Sequence, residues 1–347
     1  MNLKFMTEPA LNPDLMTCPH CGEADRIWIH SQKERRFRCP ACRRTFTESQ
    51  GTPLYGSHYP HWVFILVVTL LAAGCPVQAI VLAFGLDERT VITWQLKVGQ
   101  HAQRVQTDLV CQGQLELGQV QADELYVKTQ YGAVWIATAM SVFSRLFLWG
   151  AVSVQRNTRL VEKVVVQVRA AGRRGLPILW VTDGFAGWAE AISKLFRDPL
   201  YTGRQGRPRL LPWPELHLVQ VVKRYTVRQL TAIERRLVIG TWQEAQNVLL
   251  LTQLTIGVFN TAYIERLNAT LRTWIPALTR RSRTPARYRP HLEAALFWTG
   301  VVYNFCRIHD SLAGTPAMAA GLTESPWSVR DLLFCFRIKR GLLHAVL

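Results

Sequence analysis

The chain has 347 residues, with 41 Lys and Arg against 24 Asp and Glu, a formal net charge of +17 and a pI near 10.0. Its hydrophobic content of 49% excludes an intrinsically disordered chain, and its length allows two or three domains with sizeable cores. A charge this positive predicts a polyanionic partner, nucleic acid rather than a membrane surface. Residues 1–14 lack a signal-peptide pattern, and the apolar run 62–73 is too short to span a bilayer, so we expect a cytoplasmic, nucleoid-associated protein.

The first motif along the chain is a pair of C-x-x-C knuckles separated by residues 22–38. This spacing is typical of a four-thiolate zinc ribbon, here over residues 14–50, with short strands around Trp28 and Phe37. A redox pair or a chance spacing is the alternative. The cysteines expected to hold one structural Zn²⁺ are Cys18, Cys21, Cys39 and Cys42. Six basic residues between 33 and 44 indicate either contact with DNA or a solvated charged face.

Residues 60–110 are predicted to be helical and to bind DNA. The helices lie over 61–73, 77–84 and 89–104, with a turn at Gly85 between the second and the third. A short helix, a glycine-containing turn and a longer helix form a helix-turn-helix, although any helical hairpin has the same order. Asp87 is a suitable N-cap for the longer helix, which would place its DNA contacts on the first turns. These contacts are Arg89, Thr90 and Thr93.

From residue 118 the pattern changes to strands. Three apolar runs joined by short links predict an antiparallel meander, and a helix, a strand, a helix and a strand follow. The predicted strands are 119–128, 133–142, 146–154, 176–182 and 215–222, and the predicted helices are 158–171 and 188–196. This is the element order of the RNase H-like fold, in which the first and fourth strands are neighbours. We therefore expect an α/β domain over 116–310 with a mixed five-stranded sheet and a helical C-terminal part, followed by a tail over 311–347.

Two of these predicted strands contain an aspartate or lead directly into one. Strand 120–127 alternates, so that Gln121, Asp123, Leu125 and Val127 should face one way and Glu124 the other. A carboxylate beside large aliphatic side chains loses water and needs a partner or a metal ion. A lone Asp123 would be explained by a salt bridge. Because a second apolar strand ends in Asp183, a site for a divalent metal with oxygen ligands is favoured.

A third carboxylate should follow, and the candidates are Glu234, Glu244, Glu265 and Glu293. We expect Glu234 to form an ion pair on a basic helix, Glu244 to lie in a polar stretch, and Glu293 to be an acid near a helix N-terminus. A helix over 260–272 would place Glu265, Asn268 and Arg272 on one face. That face suits a metal, a nucleotide and a phosphate, although a solvated polar face has the same pattern.

Taken together, these motifs resemble those of bacterial insertion-sequence DDE transposases with an N-terminal zinc ribbon and helix-turn-helix, members of the RNase H-like and retroviral-integrase superfamily. The resemblance covers nearly the whole chain. Its motifs are the two knuckles, Gln-Ala-Asp-Glu at 121–124, Thr-Asp-Gly at 182–184, Tyr-Ile-Glu-Arg-Leu-Asn at 263–268, and the run 303–312 followed by Thr-Pro-Ala at 315–317. The interval from Asp183 to Glu265 is longer than in compact members and implies an insertion at about 197–253.

The resemblance implies a DNA transposase that binds the ends of a mobile element, cleaves them and transfers strands. Asp123 would bridge two Mg²⁺ or Mn²⁺ ions, with Asp183 on one ion and Glu265 on the other. The double-stranded DNA of the element ends and of the target would be the partner, and the protein would act as a homodimer or larger assembly. The side chains expected to contact DNA near the carboxylates are Lys223, Arg224, Arg266, Asn268 and Arg272. The basic loop 203–209 resembles a minor-groove hook, with a solvated flexible loop as the alternative.

Two other functions fit the same residues. A domesticated or inactive copy would keep the ribbon and the helix-turn-helix and act as a DNA-binding regulator. A nuclease of the same fold would hydrolyse DNA without joining strands.

Overall fold

The computed structural model describes residues 10–201, 203, 206–227, 229–252, 257–279 and 285–336. These residues form a mixed α/β protein with a three-stranded sheet, a six-stranded sheet and a two-stranded hairpin. The strands β1 to β11 are, in order, Trp28–Ser31, Arg36–Arg38, Thr45–Thr47, Gly118–Thr129, Gly132–Ser141, Phe147–Ser153, Ile178–Asp183, Arg197–Leu200, Arg209–Pro212, Leu216–Thr226 and Gln229–Ile239. The helices α1 to α10 are His61–Ala72, Val77–Phe84, Glu88–Val105, Thr158–Ala171, Ala186–Leu195, Trp242–Thr252, Ala262–Trp274, Arg289–Cys306, Pro316–Ala319 and Val329–Phe334.

The small sheet has the order β1-β2-β3 and is antiparallel throughout. The two predicted strands are present, and β3 is an additional one. Phe37 on β2 and Phe46 on β3 are almost fully buried, and their rings stack with centroids 5.7 Å apart. This pair of rings supplies the core of the small sheet.

The helical segment follows the predicted order. Helix α2 ends at Gly85, whose φ of 62° is the left-handed conformation that glycine adopts without strain. The Asp87 side chain accepts a hydrogen bond from the backbone N–H of Arg89 at 2.8 Å and caps α3, as predicted. Helix α3 then crosses α8 so closely that a Cβ atom at Gly99 would lie 2.4 Å from Ala294. Glycine at this position allows the two backbones to meet.

The six-stranded sheet has the order β11-β10-β7-β4-β5-β6. β4, β5 and β6 form the predicted antiparallel meander, and β4 and β7, the first and fourth strands of the sheet, pair in parallel as predicted. The prediction of five strands is wrong because β10 continues into a hairpin with β11, which adds an antiparallel edge strand.

The segment after β10 was predicted to carry a basic helix, and this prediction is wrong as well. Residues Gln229–Ile239 form β11, and Glu234 lies on that strand. The β-branched residues of this run favour a strand, and this preference outweighs the preference of its arginines for a helix. The predicted minor-groove hook includes residues 204 and 205, which lie outside the described residues; strands β8 and β9 flank it.

Helices cover both faces of the large sheet. Helices α4 and α5 pack on one face against Val120, Ala122 and Trp180, and this cluster continues through α1, α3 and α8 into the small sheet and α10. On the other face α7 and α8 pack against Leu125 and Val127, and α6 packs against β7 and β10. The buried cluster on the first face crosses the predicted domain boundaries, which remain a prediction.

The small sheet is tied to the C-terminal helices by Glu48. This carboxylate is 5% exposed and accepts hydrogen bonds from Arg35 at 2.6 Å and from Arg330 at 2.7 Å. None of the helices in the described ranges combines the length and apolar character needed to cross a bilayer.

Candidate functional site

The four knuckle cysteines converge on one point. The Sγ atoms of Cys18 and Cys42 are 3.7 Å apart, those of Cys21 and Cys39 are 3.6 Å apart, and all four lie within 4.8 Å of one another. A Zn–S bond of about 2.3 Å in a tetrahedron places sulfur atoms about 3.8 Å apart. The four thiols could therefore hold one metal ion.

Backbone hydrogen bonds shape both knuckles. The N–H of Cys18 donates to the carbonyl of Glu23, and the N–H of Cys39 donates to the carbonyl of Arg44. The backbone N–H of Arg44 lowers the pKa of Cys42 to about 7, whereas burial raises the pKa of Cys18 to about 12. A bound cation would favour the thiolate form at both positions.

The second candidate site begins at the carboxyl ends of β4 and β7. Their parallel register ends with the pair Ala122 and Thr182, so Asp123 and Asp183 follow side by side. On the neighbouring strand β10, Val221 is paired with Asp183 and Lys223 lies two residues further on. Alternation along the three strands directs Asp123, Asp183 and Lys223 to the face that α6 and α7 cover. The register therefore brings two carboxylates and one ammonium group into a row.

Asp123 is half-buried and held on both oxygens. Its Oδ1 accepts from the backbone N–H of Glu124 at 2.8 Å, and its Oδ2 accepts from the Asn268 amide at 3.0 Å. The Asn268 oxygen accepts in turn from the Thr138 hydroxyl at 2.8 Å. Burial and the charges of Asp183 and Glu265 raise the pKa of Asp123, against the opposing effect of the two hydrogen bonds. A nearby cation would offset this cost.

Glu124 joins the two aspartates, which the strand alternation did not predict. Its carboxylate lies with those of Asp123 and Asp183 in a cluster whose ligand atoms are within 4.8 Å of one another. Because β7 ends at Asp183, the longer Glu124 side chain can reach round the strand end from the opposite face. Burial and Asp183 raise the pKa of Glu124 to about 7. Its Oε1 is buried and accepts no hydrogen bond within the described part of the chain.

Arg156, which follows β6, provides the positive charge next to this cluster. Its Nη2 lies 2.6 Å from Glu124 and 3.3 Å from Asp183, and its guanidinium stacks 4.4 Å above the ring of Phe185. The cluster could bind a metal ion, since it offers hard anionic oxygens and one unpartnered oxygen atom. A guanidinium between two carboxylates satisfies the same charge requirement.

Glu265 reaches the site from α7, and a side chain of β4 fixes the start of that helix. The Oε1 of Gln121 accepts from the backbone N–H groups of Tyr263 and Ile264, both at 3.0 Å, and its Nε2 donates to the carbonyl of Asn260 at 2.7 Å. These N–H groups are the second and third of α7, the ones that an N-cap side chain normally satisfies. Gln121 therefore connects the helix that carries Glu265 to the strand that carries Asp123.

The Glu265 carboxylate accepts from the Lys223 ammonium at 2.5 Å and from the Thr261 hydroxyl at 2.7 Å. Burial alone would raise the pKa of Glu265, but these two hydrogen bonds outweigh it and the pKa is lowered. One pocket is lined by Asp123, Asp183, Glu265, Lys223 and Arg156. The three carboxylates expected from the sequence thus line one pocket, but Glu265 is not part of the close cluster of Asp123, Glu124 and Asp183.

The other residues expected to contact DNA are distributed differently. Of these, Arg224 forms an ion pair with Glu234 at 2.8 Å, and neither Arg224 nor Arg272 is among the described residues that line the carboxylate pocket. Asn268 is 1% exposed and is occupied with Asp123. Arg266 lines a second pocket on another side of α7.

The residues predicted to contact DNA from a helix-turn-helix lie on the first two turns of α3, and none of them lines the carboxylate pocket. Arg89 and Thr93 are exposed and Thr90 is half-buried.

Of the other candidate carboxylates, Glu234 is ion-paired as expected but lies on a strand, and Glu293 lies beyond the first turn of its helix, where the N-terminal dipole no longer explains it. Glu234 is ion-paired with Arg224 and Arg236, Glu244 accepts from the Thr241 hydroxyl at the start of α6, and Glu293 lies in the first half of α8. The sequence analysis did not predict Glu124 or Arg156 as residues of this site. The adjacency of two acids in Asp123-Glu124 was the available signal for the first, and nothing in the sequence indicated the second.

No protein-family model matches the chain, and a search of curated proteins found no match either.

Proposed function

We propose that this protein is a DDE-type DNA transposase, which cleaves the ends of a mobile element and joins them to a target. The observation that carries the proposal is that Asp123, Asp183 and Glu265, from β4, β7 and α7, line one pocket. Oxygen ligands from separate elements of a rigid sheet and helix are what a catalytic divalent-metal site requires.

The sheet order supports the same proposal. If the strands of the large sheet are counted from β4, the first five are arranged 3-2-1-4-5, with the fifth parallel to the fourth and the first. The element order predicts an RNase H-like fold, and the pairing of the first and fourth strands agrees with that prediction. In this proposal β11 belongs to an insertion between the last catalytic strand and the Glu265 helix.

Asp123, Asp183 and Glu265 would hold two Mg²⁺ or Mn²⁺ ions, with Glu124 as a further oxygen donor. Such ions lower the pKa of a bound water and neutralise the charge that develops on a leaving oxygen. The protein's own groups hold the carboxylates in place: Asn268 orients Asp123, and Gln121 fixes the helix of Glu265. Lys223 and Arg156 supply positive charge where a phosphodiester would enter.

The amino-terminal part would bind the element ends. We propose that the four cysteines hold Zn²⁺ and that α3 presents Arg89 and Thr93 to the major groove. The net charge of +17 would provide the sequence-independent attraction to the phosphate backbone.

The decisive experiment replaces each carboxylate by its amide. Asp123→Asn, Asp183→Asn and Glu265→Gln should lower Mg²⁺-dependent cleavage by more than about 100-fold, beyond the 10–100-fold typical of an outer partner. DNA binding should stay intact, since the shape of each side chain is kept. Glu234→Gln, a carboxylate paired with arginines outside the pocket, is the matched control and should cleave normally.

Cleavage that survives Glu265→Gln would remove this residue from the site, and loss of DNA binding in all three variants would show that the carboxylates are structural. A nuclease differs from a transposase in one measurable reaction, the joining of DNA strands. If the wild type hydrolyses DNA but never joins a 3′-OH oligonucleotide to a second duplex, the nuclease assignment replaces the transposase.

A further inference from the structure

A second pocket lies on another side of α7 from the carboxylates. It is lined by Arg145, Arg266, Arg307 and His309, and we refer to it as the arginine pocket. These residues come from the β5–β6 turn, from α7 and from the segment after α8, so the fold and not a local run of charge assembles them.

Aromatic rings fix two of the guanidinium groups. Arg145 lies 4.0 Å above the ring of Tyr263, and Arg307 lies 3.6 Å above the ring of Trp274. Arg145 has a left-handed backbone with φ of 59°, which is uncommon for a residue with a side chain, and its carbonyl accepts from the Tyr303 hydroxyl at 3.1 Å. The two groups are therefore held in position before any ligand arrives.

Backbone carbonyls accept from two of these arginines: Arg145 donates to the carbonyl of Val142, and Arg307 donates to the carbonyl of Ala72 at 3.3 Å. In the described ranges, none of the three arginines forms an ion pair, and Asp310 is the one acidic residue that lines the pocket, with its side chain exposed. Arg145 and Arg307 are half-buried. A cation that loses water without gaining an anion destabilises the fold, so the arrangement favours an anionic ligand.

His309 adds an uncharged donor. Its Nδ1 accepts from the backbone N–H of Ser311 at 3.2 Å, so the neutral ring carries its proton on Nε2. Burial and the charge of Arg145 lower the pKa of His309, which keeps the ring neutral. Guanidinium groups and a neutral N–H donor together match the oxygens of a phosphate group.

We propose that the arginine pocket binds a phosphate group of the DNA strand that enters the carboxylate site, an inference that rests on the proposed function for the identity of the strand. Glu265 and Arg266 are consecutive on α7 and line the two pockets. A helix with its side chains is about 10–12 Å across, and a strand of DNA advances about 3.4 Å per nucleotide. The two pockets are therefore close enough for one strand of DNA to contact both.

Arg266→Gln is the cleanest test. This side chain is exposed and makes no hydrogen bond or ion pair within the described residues, so its loss should not disturb folding. Binding of a fluorescent duplex carrying a short single-stranded end would be measured by anisotropy without divalent metal, from 50 to 300 mM salt. Arg266→Gln should bind about 3–10-fold more weakly, and the slope of log K against log salt should fall by about one. Arg266→Lys should retain the slope.

Arg173→Gln is the matched control. Arg173 is also exposed but precedes β7, at the end of that strand opposite Asp183. It should bind like the wild type. Wild-type affinity and slope in Arg266→Gln would overturn the inference. Inorganic phosphate is the alternative occupant: a thermal shift with phosphate that disappears in Arg266→Gln, while DNA binding is unchanged, would also overturn the assignment to DNA.

This test is independent of catalysis. A wild type that binds DNA but does not cleave it contradicts the proposed function, and the salt slopes still decide the inference. A wild type that does not bind DNA contradicts both.

Discussion

The hydrogen bonds of Gln121 predict that one buried amide controls the position of Glu265. Gln121 is fully buried, and Gln121→Met would leave the N–H groups of Tyr263 and Ile264 and the carbonyl of Asn260 without their partner. A buried unsatisfied polar group costs about 1–3 kcal/mol, and relaxation or entering water recovers part of this. We therefore expect the first turns of α7 to lose about 2–4 kcal/mol of local stability.

Hydrogen exchange measures this loss directly. At about 1.4 kcal/mol per factor of ten, amide protection over Ala262–Trp274 should fall roughly 30-fold to 1,000-fold. Amides of α8, which Gln121 does not touch, are the internal reference. Mg²⁺-dependent cleavage should fall about 10–100-fold, as for other residues that orient a ligand, while DNA binding is retained. Unchanged protection of α7 in Gln121→Met would refute this reasoning.

Two further predictions concern residues that we propose as metal ligands. In Cys39→Ser, elemental analysis should find that bound zinc falls from one ion per chain to a small fraction. Proteolysis within residues 14–50 should become faster. A variant that keeps full zinc would contradict the four-thiolate site. Because burial raises the pKa of Glu124 from 4.5 to about 7, the folded protein keeps a proton that the unfolded chain releases, and wild-type stability declines as the pH rises through this interval. Glu124→Gln has no proton to release at this position. Its free energy of unfolding minus that of the wild type should therefore rise between pH 4.5 and 7, by roughly 2–3 kcal/mol at most. Urea unfolding at several pH values measures this difference, and a difference that does not change with pH would exclude a raised pKa of Glu124.

Local pattern was sufficient for much of the carboxylate site. Alternation placed Gln121 and Asp123 on the face of β4 that α7 covers, and the apolar run before Asp183 marked a strand buried on both faces. The parallel pairing of β4 and β7 then followed from element order. These features depend on neighbours in sequence, which one sequence reports well.

The features that were missed depend on side-chain length and on long-range pairing. Glu124 reaches the cluster because β7 ends at Asp183. The end of a strand can be predicted from sequence only to within a few residues. Arg156 lies in the connection between β6 and α4, where its direction is set by Glu124 and Phe185 rather than by a local pattern. The strand β11 was read as a helix because its arginines obscured the β-branched residues around them.

The ion pair at Glu48 has a consequence for the order in which the chain is made. The knuckles and both phenylalanines of the small sheet leave the ribosome early, but Arg330, which binds Glu48, is synthesised 282 residues later. At about 5–20 residues per second this interval lasts roughly 15–55 s. During that time the nascent small sheet has one of the two guanidinium groups that compensate Glu48, and it lacks the cover of α10. The buried carboxylate of Glu48 is therefore fully compensated only after Arg330 and its helix have been made.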